Sequence, residues 1–175
     1  KMIETLIGKE TFVKALALYH QRFKHKNAST VDWLAVMEEV SGKELSTMAR
    51  QWLYRTGFPR VFVTTSYEKG EYTIILEQKG FDKSGPWQFP FVFSLFDKKG
   101  KEMRKEEIHW VKKERETITL AVKEEPAYCS FNRNHTLYGK VLYKQQTTKQ
   151  LLLQAETDTD LVNKYMAIST LFDVE

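Results

Sequence analysis

The sequence predicts a mixed α and β protein in which the two kinds of element are segregated: a central antiparallel β-sandwich flanked by helical segments. Apolar residues recur at helical spacings of three and four over residues 1–57, and this period returns from about residue 145. Between these stretches apolar and polar residues alternate, with turn signals roughly every 8–12 residues, as in sandwiches. Because no helical stretch separates the strands, a parallel βαβ sheet is disfavoured.

The N-terminal part of the chain predicts successive helices with recognisable ends. Gly8 interrupts the first apolar pattern. Ser29 and Asp32 have the spacing of a capping box, in which hydroxyl and carboxylate satisfy free N–H groups at a helix start. A further helix is predicted over residues 46–54, and Pro59 cannot continue it. We expect the inward face of that helix to consist of Met48, Ala49, Trp52 and Leu53.

After Pro59 the hydrophobic period changes from 3.6 to two, which indicates β-strands. Six to eight short strands are predicted, the last from Leu137 to Tyr143. One face of each strand should enter a shared core. The core candidates are Val61, Val63, Ile74, Leu76, Phe91, Phe93, Leu95, Trp110, Ile118 and Leu120.

Two apolar helices are predicted after residue 145, and either Asp158 or Asp160 can cap the second. Two helices are too few to bury their own apolar faces. Lys1 lies inside an apolar pattern, so we expect the chain to be a piece of a longer protein. The apolar faces that have lost partners should be partly exposed around Leu16, Leu152 and Phe172.

The charge balance disfavours a nucleic-acid partner. The 175 residues include 27 Lys and Arg against 23 Asp and Glu, and these charges are mostly interleaved, as on a solvated surface. An apolar content of 42% excludes a disordered protein, and no apolar run approaches the roughly 18 residues of a membrane helix. A series of aromatic residues could stack on bases, but alternation of this kind favours a core strand. These residues are Trp87, Phe89, Phe91, Phe93 and Phe96.

The histidines and the cysteine do not form a recognisable catalytic or metal-binding pattern. His20 and His25 are five residues apart, so they cannot share a helix face as a zinc-binding pair must. His109 is expected to face solvent from a strand, and His135 lies in a predicted turn. Cys129 is the single cysteine, which excludes an internal disulfide, and we expect it to be packed rather than nucleophilic.

The carboxylates and glycines are equally uninformative about chemistry. The sequence contains no Gly-rich phosphate loop and no Gly-x-Ser-x-Gly motif. Glycosylation sequons at Asn27 and Asn134 would matter only in a secreted protein. Adjacent acids diverge and are better solubilising groups than acid/base pairs: Glu38-Glu39, Glu106-Glu107 and Glu124-Glu125. The residues alone assign no catalytic, metal-binding or substrate-binding side chain.

The order of these pieces resembles a known family. Residues 2–12 and 27–33 resemble the helical end of the catalytic domain in the aminopeptidase N family of zinc metallopeptidases, the gluzincin aminopeptidases. The passage through residues 52–59 resembles the junction at which that family enters a small Ig-like β-sandwich. Residues 90–100 resemble a sandwich strand and turn of the bacterial-type enzymes, and residues 158–171 resemble the first helices of their C-terminal α-domain.

The resemblance implies three units: residues 1–58 as the end of the catalytic domain, 59–145 as the sandwich, and 146–175 as the first helices of the last domain. It also implies a cytoplasmic, zinc-dependent parent that removes N-terminal residues from peptides. Peptides would be the parent's partners, and the rest of the same polypeptide would be the partner of this segment, with no nucleic acid and no membrane involved.

In the family, zinc is bound by His-Glu-x-x-His and a distant Glu, a Gly-x-Met-Glu-Asn loop binds the substrate amine, and a tyrosine stabilises the oxyanion. All of these precede the part of the family that this chain resembles, so no role transfers to a residue here. The segment alone is therefore expected to hold no zinc and to be inactive.

Two other functional hypotheses are compatible with the residues. The first is a scaffold or interaction module of a catalytically dead aminopeptidase-like protein, which would lack the upstream motifs. The second is a free-standing sandwich that binds carbohydrate or protein, which the truncated apolar faces of the flanking helices disfavour.

Overall fold

The computed structural model describes residues 1–172, and it confirms the mixed fold with a central sandwich between helical segments. A short 3-10 turn at Arg133–His135 separates the last two strands. The helices are α1 (Met2–Ile7), α2 (Lys9–Phe23), α3 (Thr30–Ser41), α4 (Ser46–Tyr54), α5 (Thr148–Thr157) and α6 (Leu161–Phe172). The strands are β1 (Arg60–Glu68), β2 (Glu71–Lys79), β3 (Phe89–Phe96), β4 (Glu102–Val111), β5 (Arg115–Ala121), β6 (Tyr128–Phe131) and β7 (Lys140–Tyr143).

Helix α3 has the ends that its sequence predicts. The Ser29 hydroxyl accepts from the Asp32 amide, and the Asp32 carboxylate accepts from the Ser29 amide at 2.8 Å. Gly42 ends the helix at φ 65°, in the left-handed region that glycine tolerates. Glu38 was predicted to be a solubilising group, but it also has a structural role. Its carboxylate accepts from the amides of Leu45 and Ser46 at the start of α4. Burial opposes the charge of Glu38, but these hydrogen bonds outweigh it and lower the pKa.

The first four helices bury a core of their own. In α4, Met48 and Ala49 are buried as predicted and Trp52 is half-buried. Leu53 was wrongly predicted to face inward: it is 55% exposed, because a rotation of about 100° per residue places it beside the buried face. The buried members of this core are Leu6, Ile7, Ala15, Leu34, Val36, Met37, Leu45, Met48 and Ala49.

The sandwich consists of two sheets with strand orders β5-β2-β1-β7 and β4-β3-β6. All pairings are antiparallel except that of β1 with β7, which is parallel. The last strand starts at Lys140 rather than at Leu137. The reason is that the Asn132 side chain pairs with both the amide and the carbonyl of Leu137, at 2.8 and 3.1 Å, and so takes this residue out of the ladder.

Most of the predicted sandwich core is buried. Val61, Val63, Ile74, Leu76, Phe91, Phe93 and Leu95 lie in it, and Ile118 and Leu120 pack against it half-buried. Trp110 was wrongly assigned. It pairs with Pro90 on the outer face of its sheet and packs against the helical core instead.

Strand β3 is buried on both faces, unlike a strand of an ordinary two-layer sandwich. Its inner residues join the sandwich core, whereas Val92 and Phe96 point outward and are buried too. Helix α1 contacts β3 and β4, and α5 contacts β6. The helices before and after the sandwich therefore cover the same sheet, whereas outer residues of β1 such as Thr64 and Ser66 are exposed.

The two C-terminal helices are capped as their sequence indicates. Thr147 and Gln150 form a capping box at α5, and Asp160 accepts from the amides of Val162 and Asn163 at the start of α6. The expected exposure of apolar faces is confirmed: Leu16 and Leu152 are exposed, and Phe172 is 80% exposed. Residues 173–175 of the predicted last unit lie outside the described residues.

Candidate functional site: the two interfaces of the sandwich

The histidines are dispersed, and three of the four are exposed. His25 lies beyond the end of α2, so it shares no helix face with His20. His135 follows Asn134 in the 3-10 turn. Within residues 1–172, no group of three or more His, Cys, Asp or Glu side chains is close enough to hold a metal ion.

His109 does not face solvent freely, contrary to the prediction. It pairs with Phe91 across β3 and β4 and therefore points towards the inner side at the rim of the sandwich. There its Nε2 lies 2.5 Å from Oε2 of Glu116, which belongs to the other sheet. Burial opposes the charge of Glu116, but this contact and hydrogen bonds from the amides of Lys112 and Lys113 outweigh it and lower the pKa.

Cys129 and the alternating aromatic residues are packing residues, as their pattern predicts. Cys129 is buried, and burial raises the pKa of its thiol well above the ordinary value, which disfavours the reactive thiolate. The aromatic series is buried as well, so it offers no surface for base stacking. Its members are Trp87, Phe89, Phe91, Phe93 and Phe96.

Two further groups of polar contacts join the sandwich to the flanking helices. The first interface joins α4 to loop 80–88, which precedes β3. Gln51 donates to the Pro86 carbonyl at 3.0 Å and accepts from the Gln88 amide at 2.7 Å. The indole N–H of Trp52 donates to the Gln88 carbonyl at 2.7 Å. Neutral side chains of the helix thus satisfy main-chain groups of the loop, which fixes the loop against the helix.

Arg55, just beyond α4, completes the first interface. It donates to the Gly85 carbonyl at 2.7 Å and pairs with Asp82 at 3.0 Å. Its guanidinium lies 4.4 Å from the centroid of the Trp87 ring, and the ring of Trp52 is 4.8 Å from the same ring. Trp87 is therefore enclosed between a cation and a second indole, a favourable arrangement for a π-system.

The second interface joins the sandwich to α5 and α6 and contains a buried ion pair. Arg133 donates to Asp158 at 2.8 Å and to the Thr159 hydroxyl at 2.7 Å, and Glu102 lies 3.4 Å away. The side chains of Arg133 and Asp158 are only 4% and 0% exposed. A buried charge is tolerable only with partners of this kind.

Hydrogen bonds extend this second interface to the start of α6. The carboxylate of Asp158 also accepts from the Gln154 side chain and from the Asp160 amide, both at 2.9 Å. Asp160 in turn accepts from the Asn134 amide at 2.6 Å while it caps α6. Hydrogen bonds thus cross the boundary between sheet and helices at several points, although Nε of Arg133 is buried without a partner among the described residues.

The backbone of the turn between β3 and β4 also lies very close to a side chain of α5 at this second interface. A Cβ on Gly100, in the turn between β3 and β4, would lie 2.3 Å from the Cβ of Thr157 at the end of α5. Gly100 has φ 74°, so both the contact and the turn require glycine. The Thr157 hydroxyl also lies 3.0 Å from the Tyr128 hydroxyl.

Sequence reasoning missed the second interface, but it anticipated part of the first. Trp52 at the junction was expected to hold the helix over residues 46–54 to the sandwich, and its contacts with Gln88 and Trp87 confirm this. Arg133 lies in a segment that reads as a polar turn, and its partner Asp158 is 25 residues away, so no local spacing signals the pair. The position of Trp52 before a Gly-x-Pro junction was the signal available for the first interface.

None of the helices within residues 1–172 combines the length and the hydropathy that crossing a bilayer would require.

Two family models match the chain. Residues 57–144 match a domain of unknown function, DUF3458, described as having an Ig-like fold. Residues 1–52 match the peptidase family M1 domain. The two matches meet at the first interface, where α4 gives way to β1.

Known proteins agree with these matches. Aminopeptidase N of Escherichia coli is 33% identical over 108 residues, which cover 58% of this chain and 12% of that protein. Aminopeptidase M1-A of Oryza sativa subsp. japonica is 28% identical over 167 residues, which cover 90% of this chain and 18% of that protein. The crystal structure of Legionella pneumophila aminopeptidase A in complex with aspartic acid has the same fold, with a TM-score of 0.86 at 22% identity over 97% of this chain. The match spans 20% of that chain.

Proposed function

This chain belongs to peptidase family M1 and carries an Ig-like domain, and from that premise we propose that it is the connecting segment of a zinc aminopeptidase. The parent protein would remove N-terminal amino acids from peptides. Its zinc and catalytic groups would lie upstream, as the resemblance of residues 1–52 to the end of a peptidase family M1 domain implies.

The proposed units are residues 1–58, the end of the catalytic domain; 59–145, the sandwich; and 146–175, the start of a C-terminal helical domain. We propose a cytoplasmic parent that acts on peptides, with neither nucleic acid nor a membrane as a partner. The partner of this segment is the rest of its own polypeptide.

The mechanical role rests on one observation: helices from both flanks cover the outer face of the β4-β3-β6 sheet. Helix α1 contacts β3 and β4 at one end of this face, and α5 contacts β6 at the other. Both flanks are thus positioned against the same three-stranded sheet. A fixed relative position of two domains keeps a cleft between them pre-organised before substrate binds.

A first experiment tests whether the segment itself contributes chemistry. We expect the 175-residue chain, purified without a histidine tag and dialysed, to hold no stoichiometric zinc. We also expect it to leave aminoacyl-anilide substrates unhydrolysed when zinc is added. One tightly bound zinc per chain would contradict the proposal, and so would turnover that a point mutation in this chain abolishes.

A second experiment tests the connecting role in the full-length protein. Asp158→Asn should loosen the second interface and lower kcat/KM for peptide substrates by about ten-fold, with zinc content unchanged, because positioning is lost and the metal site is not. Glu39→Gln, which alters an exposed ion pair with Arg22, is the matched control and should leave kcat/KM unchanged. Full activity in Asp158→Asn, with faster amide exchange in α5, would refute the role. A parent without His-Glu-x-x-His would instead be the catalytically dead scaffold.

A further inference from the structure

Gln78 near the end of β2 has an unusual environment for a polar side chain. It is fully buried. Its amide nitrogen donates to the carbonyl of Trp87 at 2.9 Å and to the carbonyl of Lys113 at 3.0 Å. Its amide oxygen accepts from the Trp87 N–H at 3.0 Å, and its own backbone N–H donates to the Glu114 carbonyl at 2.8 Å. One buried residue thus makes four hydrogen bonds to two loops.

The two loops are far apart in sequence and have different tasks. One is loop 80–88, on which α4 rests at the first interface. The other is the crossover, residues 112–114, by which the chain passes from β4 in one sheet to β5 in the other. On its far side the crossover is held by Glu116, which accepts from the amides of Lys112 and Lys113 and contacts His109.

Trp87 continues the chain of contacts into the helical unit. Gln78 holds both the N–H and the C=O of Trp87, and the Trp87 ring packs against Trp52 and Arg55. A contiguous path therefore runs from Glu116 through the crossover, Gln78 and Trp87 to α4. Packed, hydrogen-bonded paths of this kind can transmit coupling, provided that perturbing one end changes the other.

We infer that Gln78 is a positioning residue that couples the crossover of the sandwich to the interface with α4, so that loosening either one loosens the other. The functional meaning of this coupling rests on the connecting role proposed above. The coupling itself is read by hydrogen exchange and does not depend on peptidase activity. If the parent proved inactive, the coupling would be unaffected. If the coupling proved absent, the chain could still be a connecting segment.

The test uses the 175-residue chain and two amides that Gln78 does not touch. The Gln88 amide, bonded to Gln51 of α4, reports on the first interface, and the Lys113 amide, bonded to Glu116, reports on the crossover. Gln78→Glu keeps the acceptor for Trp87 and removes both side-chain donors. It should speed exchange at both reporter amides by about ten-fold, as expected for the loss of a buried hydrogen-bond partner.

Glu77→Gln is the matched control, because this residue adjoins Gln78 on β2, faces the opposite side of the sheet and loses only a half-exposed ion pair with Lys79. It should change both rates by less than about three-fold. Faster exchange in Gln78→Glu at only one of the two reporter amides, Gln88 or Lys113, would overturn the inference. A uniform rise that includes the amides of β1 and β2 would also overturn it, since that is global destabilisation.

A reciprocal pair of variants keeps the test decisive if Gln78→Glu fails to fold. Glu116→Gln should speed exchange at Gln88, and Trp52→Phe should speed it at Lys113, because coupling between two sites is mutual. If Gln78→Glu folds, adding Glu116→Gln to it should change the Gln88 rate no further. Absence of the reciprocal effects, or full additivity in the double variant, would refute the coupling.

Discussion

The two interfaces hold their helices by different physical means. At the first, neutral and aromatic side chains of α4 bond to main-chain carbonyls and amides of a loop, and the ion pair of Arg55 there has an exposed carboxylate, Asp82. At the second, the charge of Arg133 is buried with Asp158. Losing one neutral bond costs a limited amount, whereas losing one partner of a buried ion pair leaves an uncompensated charge. The first interface should therefore respond gradually to substitution, and the second should fail almost completely.

The sharpest test of this difference is Asp158→Asn. It keeps the size of the side chain but leaves buried Arg133 with Glu102, 3.4 Å away, as its acidic partner among the described residues. We expect a loss of about 3–5 kcal/mol in the free energy of unfolding, measured by urea denaturation. Glu39→Gln should change it within experimental error, because that pair is exposed. A loss below about 1 kcal/mol in Asp158→Asn would place the two interfaces in the same energetic class.

A double variant sharpens the same comparison. If the cost arises from an unpaired charge rather than from lost packing, removing the arginine as well should recover most of it. Arg133→Leu with Asp158→Leu is therefore expected to be more stable than Asp158→Leu alone. The measurement is again urea denaturation. A double variant as unstable as the sum of its single changes would indicate that hydrogen bonds to Thr159 and Gln154 dominate.

At the first interface, Trp52→Phe should have an intermediate effect. It removes the donor to the Gln88 carbonyl and part of the contact with Trp87, so we expect a loss of about 1–3 kcal/mol. Tyr54→Phe is the control, because this exposed tyrosine lies on the same helix. A loss in Trp52→Phe as large as that in Asp158→Asn would show that the first interface is not gradual.

The smallest effect is expected at the rim of the sandwich, in the pH dependence of stability. The pKa of Glu116 is lowered in the folded state, so its charge contributes stability that is present above the ordinary carboxyl pKa of 4.5 and is lost as pH falls through the folded value. In Glu116→Gln, the unfolding free energy should therefore fall less steeply below pH 4.5 than in the unchanged protein. Glu114→Gln, in the same turn, is the control. If the unfolding free energy fell equally steeply below pH 4.5 in the unchanged protein, Glu116→Gln and Glu114→Gln, this contribution would be refuted.

Local signals predicted the elements but not the side on which residues lie. The capping box at Ser29, the cap at Asp160 and the glycine end at Gly42 were readable because each depends on neighbours within four residues. Alternation along β4 separated Trp110 from His109 correctly, but it assigned each of them to the wrong side of the sheet. It could not tell that Trp110 faces a helical core and His109 the rim, since that depends on what covers the sheet.

The second interface was hidden for a related reason. Arg133 and Asp158 have ordinary polar neighbours in sequence, and only the tertiary fold brings them together and excludes water. Leu137 shows the same limit on a smaller scale: its alternation is that of a strand, but the side chain of Asn132 takes its hydrogen bonds.

The double burial of β3 has a consequence for how this region can be exchanged between proteins. A chimera cut at the ends of the Ig-like domain would expose Val92 to water, because α1, which packs against this face of β3, lies outside those cuts. Phe96 would keep its stacking on Tyr128 inside the domain. Exposed apolar surface of this kind promotes aggregation. The unit that can be transplanted intact is therefore larger than the sequence domain: it begins with α1 and extends past α5 into α6, since the loop after α5 contains the buried Asp158 and Asp160.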